Sequence, residues 1–138
     1  MDFENRKGME TIIVQDTDQN VLEMLIIALE LGNFKVYPLI DFDDDFMGMI
    51  DKYRPHVVMM DYTWHGERCL EVCRSIKAKY PHLPVIASSC NNNIHQEYSR
   101  LGFDGYIKKP FDLDLLYRIL REHIPKPAPN RARLIFPR

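Results

Sequence analysis

The chain has 138 residues, 46% hydrophobic and 28% charged, with a formal net charge of −2. That length suits one domain able to fold without disulfides or a structural metal, and the near-neutral charge gives no global argument for nucleic acid or an acidic membrane as partner. No apolar run approaches the roughly 18 residues of a membrane span, and the opening MDFENRKGME is too polar for a signal peptide, so a cytoplasmic protein is expected.

Taken in order, the first apolar run, 11–14, leads through Gln15-Asp16 into a helix over 18–31. There Val21, Leu22, Leu25, Ile26 and Leu29 recur at the spacing of an amphipathic face. Asp18 is its expected N-cap and Leu31-Gly32-Asn33 its stop. A second strand, 35–39, precedes a helix over 43–53, whose acidic triplet Asp43-Asp44-Asp45 reads as a negatively charged first turn. Consecutive helical residues do not converge, which argues against a cation site there. Strands 56–60 and 84–87 do not alternate and read as central parallel strands buried on both faces. Between them a helix over 66–80 places Cys69 and Cys73 one turn apart, a pattern of packed, reduced thiols. A helix over 92–101, a strand over 105–107 and a helix over 112–123, capped by Asp112, complete the domain. Leu115, Leu116, Ile119 and Leu120 form the apolar face of that last helix. Beyond Ile124 the segment PKPAPNRARLIFPR holds four prolines, four basic residues and no acid, the composition of an extended tail or a linker. Five β-then-α units of this size imply right-handed crossovers and a three-layer α/β sandwich.

In an open parallel sheet, ligands bind outside the carboxyl ends of the strands. The first strand delivers Gln15-Asp16 there, the third Asp61, the fourth Ser88-Ser89 and the fifth Lys108-Lys109-Pro110. Each alone is ordinary; together they suit phosphoryl transfer to a carboxylate, where catalysis is mainly positioning plus charge stabilisation. An ammonium, a hydroxyl and a magnesium ion can each serve one oxygen of the transferring group. Magnesium takes oxygen ligands, commonly one or two carboxylates; Asp16 and Asp61 supply these, with the Thr63 carbonyl as a third. An ordinary carboxylate, with a pKa of about 3.9, is already the ionised nucleophile such a reaction needs.

The segments TIIVQDTDQNVLEML, PHVVMMDYTW, LEVCRSIKAKYPHLPVIASS and GFDGYIKKPFDLDLL resemble, in order and spacing, the chemotaxis-type receiver domains of bacterial response regulators. The resemblance runs over residues 10–124, leaving 125–138 as the tail. It implies a flavodoxin-like doubly wound fold with a parallel five-stranded sheet in the order 2-1-3-4-5. It implies phosphorylation of Asp61 by a histidine kinase or phosphotransfer protein with Mg2+. Lys109 becomes the phosphate-binding lysine, in a Lys-Pro bond that the family often holds cis. Ser89 becomes the hydroxyl drawn toward the phosphate, and Tyr106 the switch aromatic that follows it. The output is a protein target or a homodimer on the face of the fourth helix, fifth strand and fifth helix. Tyr98, Lys108 and Arg118 fall on that face, with plain solvated surface as the competing reading. The chain is then a signalling phosphoacceptor, not a turnover enzyme.

Two departures stand out. Receivers commonly end the first strand in two acids, whereas here the first is Gln15, which can reach a metal-bound water but brings no charge. Losses of this outer-shell kind typically cost about 10–100-fold in affinity, so weakened magnesium binding is expected, with Asp18 placed to compensate in part. The loop after Asp61 reads Trp64-His65-Gly66-Glu67-Arg68-Cys69. Trp64 is either a rim or partner surface or a packed loop residue; His65 either tunes the site near neutral pH or is exposed. The alternative reading is a degenerate receiver that binds partners without phosphorylation. An enzyme on the same fold lacks support: there is no phosphate-cradling Gly-rich loop, Cys/His metal set or Ser-His-Asp order. The receiver half of a DNA-binding regulator, with Arg131, Arg133 and Arg138 opening a linker, lacks a helix-turn-helix.

Overall fold

The computed structural model describes residues 9–42, 45–63 and 66–126. Five β-then-α units follow one another: β1 (Glu10–Gln15), α1 (Gln19–Leu31), β2 (Phe34–Leu39), α2 (Phe46–Tyr53), β3 (Val57–Asp61), α3 (Glu67–Lys79), β4 (Val85–Ser89), α4 (Ile94–Leu101), β5 (Gly105–Lys108) and α5 (Leu113–His123). The strands form one parallel sheet in the order β2-β1-β3-β4-β5, the flavodoxin-like arrangement expected.

Alternation along the strands sorts the core into two halves. Ile12 and Val14 of β1, Val57 and Met59 of β3, and Ile107 of β5 face α1 and α5, where Leu22, Leu25, Leu29, Leu116 and Leu120 meet them. Ile13, Val58, Met60, Val85 and Ala87 face the other way, against Phe46 and Ile50 of α2, Cys69, Val72, Cys73 and Ile76 of α3, and Ile94 of α4. The centres of β3 and β4 are buried throughout, which explains their lack of alternation. Each buried Val, Leu, Ile, Phe or Met among them contributes about 1.5–3 kcal/mol.

The strands run further than their apolar cores. β3 includes Asp61 and β4 includes Ser88 and Ser89, because ladder hydrogen bonding continues: the Tyr62 N–H donates to the Ser88 carbonyl at 2.8 Å. Polar groups are thereby fixed on the edge by regular structure. Asp18 caps α1, accepting from the Asn20 and Val21 N–H groups, and Asp112 caps α5 through the Leu115 N–H. The acidic triplet differs from expectation. α2 begins only at Phe46, and Asp45 is its N-cap, accepting from the Gly48 N–H at 2.9 Å, so Asp45 precedes the first turn. Asp43 and Asp44 lie outside the described residues, as do Trp64, His65 and residues 127–138. At the end of α1 it is Asn33, with φ of 70°, that takes the left-handed conformation. Gly32 is required for close packing instead: a Cβ there would stand 2.3 Å from the Tyr117 ring, whose hydroxyl donates to the Ala28 carbonyl.

Candidate functional site

The ends of β1 and β3 are adjacent, and the loop after β5 closes over them. Asp16 is 1% exposed and Asp61 6% exposed. The Lys109 ammonium donates to Asp16 Oδ2 at 2.7 Å and to Asp61 Oδ1 at 2.9 Å. The Lys109–Pro110 peptide bond is cis. Burial disfavours the Lys109 ammonium, but the hydrogen bonds and charges of both carboxylates outweigh it and lift its pKa above the ordinary lysine value. Two carboxylates against one ammonium leave the cluster one net negative charge.

The second oxygen of Asp61 is held from the opposite side. Thr17 Oγ1 donates to Asp61 Oδ2 at 3.0 Å. Thr17 lies in a short turn fixed at both ends, since Asp16 Oδ1 accepts from the Asp18 N–H at 2.9 Å and Asp18 caps α1. Sequence reasoning missed this contact. Its one signal was a hydroxyl directly after the strand-end acid.

Gln15 is fully buried, and its amide is oriented toward backbone. Its Nε2 donates to the Ile40 carbonyl at 2.8 Å, and its Oε1 accepts from the Asp61 N–H at 3.0 Å. Offered by the sequence to a metal-bound water, Gln15 is in the fold a neutral strut between the end of β2 and the backbone of Asp61. A carboxylate there could not donate to Ile40, which is a physical reason for an amide. Asp18, suggested as compensation, is occupied as the helix cap.

Ser88 stands in register with Asp61, and its hydroxyl donates to the Met60 carbonyl at 3.4 Å. Ser89 is fully buried, and its Oγ accepts from the Asn91 N–H at 3.1 Å. Asn91 is itself buried, and its Oδ1 finds no partner among the described residues. Thr63 is exposed two residues beyond Asp61. The Tyr106 ring, half-buried, lies 5.0 Å from that of Tyr98. Both line a cleft of about 670 Å³ that runs from Lys109 and Pro110 between α4 and α5. Lys108, on the same cleft, donates to Asn92 Oδ1 at 3.0 Å, while Arg118 is exposed and paired with Glu122.

As a cation site the donor set is made of hard oxygens: two buried carboxylates, with hydroxyl and carbonyl groups nearby. Such ligands suit magnesium, which commonly completes its shell with water and phosphate. Among the described residues no cluster of three or more His, Cys, Asp or Glu side chains is placed to hold a metal. A third protein ligand would therefore be a neutral oxygen. Cys69 and Cys73, buried on α3, are free thiols; burial pushes the Cys69 pKa up and lifts that of Cys73 to about 11.

The same fold occurs in known proteins. The family model described as response regulator receiver domain matches residues 12–121. Among solved structures, NtrX from Brucella abortus in complex with ATP is 26% identical with a TM-score of 0.73, covering 83% of this chain and 27% of that one. The chain thus spans about a quarter of the length of that regulator. The BeF3-activated DrrB receiver domain is also 26% identical, with a TM-score of 0.69, covering 83% of this chain and 97% of that one. TrrA from Thermotoga maritima, solved with Mg2+-BeF, shares the fold at 21% identity and a TM-score of 0.72, covering 83% and 99%.

Proposed function

The chain belongs to the response regulator receiver domain family, and from that premise we propose that it accepts a phosphoryl group on Asp61 from a histidine kinase or phosphotransfer protein. The observation that carries the reading is the joining of Asp16, Asp61 and Lys109 in one buried cluster from three separate strand ends. An Asp61 carboxylate oxygen attacks phosphorus. The bond from phosphorus to the donor's nitrogen or oxygen breaks, and its electron pair leaves with the donor. Lys109 already lies within hydrogen-bond distance of the Asp61 carboxylate and is charged, so it can follow negative charge onto the phosphoryl oxygens.

Asp16 and Asp61, with the Thr63 carbonyl, would hold Mg2+, which when bound supplies positive charge to the phosphoryl oxygens. That TrrA, of the same fold, was solved in complex with Mg2+-BeF supports the assignment. Ser89 would leave the Asn91 N–H to reach the phosphoryl group, and Tyr106 would follow inward, biasing the α4–β5–α5 face between two packings. A downstream protein or a second copy would read that face, with Tyr98 and Lys108 beside it. We assign the chain as a chemotaxis-type phosphoacceptor that works once per signal rather than as a turnover enzyme, acting in the cytoplasm. No helix among the described residues is long and apolar enough to cross a membrane.

Intact mass after incubation with Mg2+ and acetyl phosphate tests the proposal. A phosphoryl adduct on the wild type and none on Asp61→Asn is the expected result. No adduct on either, with magnesium in excess, would instead assign a phosphorylation-independent binding module.

A further inference from the structure

The two oxygens of Asp61 differ in their surroundings. Oδ1 is enclosed: it shares the Lys109 ammonium with Asp16, and the side chains of Lys109, Asp61 and Asp16 are 16%, 6% and 1% exposed. Oδ2 faces Thr17, an exposed residue on the rim. An incoming phosphorus reaches the carboxylate from the rim, so Oδ2 is the oxygen that forms and later breaks the bond to phosphorus. The Thr17 hydroxyl already donates to that atom at 3.0 Å. It is held there by a stiff β-branched side chain on a backbone fixed by the Asp16 and Asp18 hydrogen bonds.

We propose that Thr17 sets the lifetime of the phosphoryl group on Asp61, by donating a hydrogen bond to the Asp61 oxygen that leaves when the acyl phosphate is hydrolysed. The inference rests on the reading of Asp61 as the phosphoryl acceptor. In hydrolysis a water oxygen attacks phosphorus, the bond from Oδ2 to phosphorus breaks, and its electron pair returns to the carboxylate; the water's proton goes to phosphate or solvent. Phosphoryl transfer passes through a loose transition state, in which the bond to the leaving oxygen is largely broken. Negative charge is therefore well developed on Oδ2 at the barrier, and a hydroxyl aimed at it is worth more there than on the uncharged bridging oxygen of the acyl phosphate.

The same looseness makes the effect one-sided. When Asp61 is the nucleophile, the new bond is only slightly formed at the barrier and the charge on Oδ2 is nearly intact. The Thr17 hydrogen bond is then of similar strength in the ground and transition states, and the rate of loading hardly depends on it. Thr17 is accordingly expected to govern loss and not gain, unlike Lys109, whose contact with Asp16 and Asp61 bears on both.

The test compares wild type, Thr17→Val and Thr17→Ser, loaded with acetyl phosphate and Mg2+ and followed by intact mass after the donor is removed. Thr17→Val keeps the shape and removes the donor. Its phosphoryl group should decay about 3–10-fold more slowly, the size of effect expected from losing one hydrogen bond to a developing charge. Its loading rate should stay within about twofold of wild type on the same argument. Thr17→Ser should restore wild-type decay. Unchanged decay in Thr17→Val overturns the inference, as does slower loading with faster decay, the pattern of a merely loosened site. Failure of the wild type to take any adduct would overturn the underlying reading of Asp61 and this inference with it, and that result is distinct from the other two.

Discussion

The two faces of the sheet end differently at the same edge. Along the face covered by α1 and α5, the alternation that places Val14, Met59 and Ile107 in the core continues into Asp16, Asp61 and Lys109. Along the face covered by α2, α3 and α4, the row of Ile13 and Ala87 continues into Gln15 and Ser89, with Tyr106 partly buried on the same side. On β1, β3 and β5 the first row ends in charges that meet one another, while on β4 it leads from Ile86 to the neutral Ser88. The other ends in neutral groups whose hydrogen bonds go to backbone: Gln15 to Ile40 and Asp61, Ser89 to Asn91. The difference teaches that one strand edge can separate the charged groups of a site from its neutral ones, largely by which side of the pleat a residue falls on.

The largest expected effect breaks the charged row. Lys109→Met leaves two buried carboxylates facing each other without a cation, and removing one partner of a buried ion cluster typically costs about 3–5 kcal/mol. Urea denaturation in the presence of a chelator should show a loss of that order. Added Mg2+ should then stabilise the variant more than the wild type, because the ion substitutes for the missing charge. A loss below about 1 kcal/mol, the value of an exposed pair, would mean that the cluster is solvent-screened. Next in size, Gln15→Leu breaks the neutral row. It strands the buried Asp61 N–H, at about 1–3 kcal/mol for an unsatisfied group, while the carbonyl of the exposed Ile40 can turn to water, so a loss of about 1–3 kcal/mol is expected at an unchanged denaturant slope. Full stability in Gln15→Leu would remove the strut assignment.

The strand-end residues of the charged row were legible because β/α alternation fixes where each strand stops, and strand ends converge on one edge. Asp16 and Asp61 needed no more than that, whereas the choice of Lys109 over Lys108 came from the resemblance to receiver domains. Gln15 was legible as a departure from two acids, but not in its role: its partner on Asp61 is 46 residues away, and the direction of an amide depends on which backbone groups the fold brings opposite it. Thr17 was passed over for a related reason. Its hydroxyl matters only because the β1–α1 turn aims it across 44 residues at Asp61. The acidic triplet misled locally, since the charge pattern suited a helical first turn equally well whether the helix began at residue 43 or at Phe46.

The smallest effect is a pH dependence that separates the two faces by where it begins. Cys69 and Cys73 lie in the core under α2, α3 and α4, and Lys109 belongs to the row continuing from the core under α1 and α5. Desolvation raises the pKa of both thiols, and the nearby Asp104 charge adds to it at Cys73. In the unfolded chain a thiol ionises at about pH 8.5 and a lysine at about pH 10.4. All three groups have folded pKa values above the unfolded ones. Their stabilisation is therefore complete below the unfolded pKa and is lost as pH rises toward the folded one. Stability should be level with respect to these groups from neutrality to about pH 8, decline by about 1–2 kcal/mol by about pH 9 as the unfolded thiols ionise, and steepen above about pH 10.4 as Lys109 joins. Urea midpoints taken across that range should show the first decline flattened in the Cys69→Ala, Cys73→Ala double variant, with the steeper limb retained. In Lys109→Met the reverse should hold. A double variant that still declines from about pH 8 would place the early titration outside the α3 thiols, and the separation by faces would fail on that side alone.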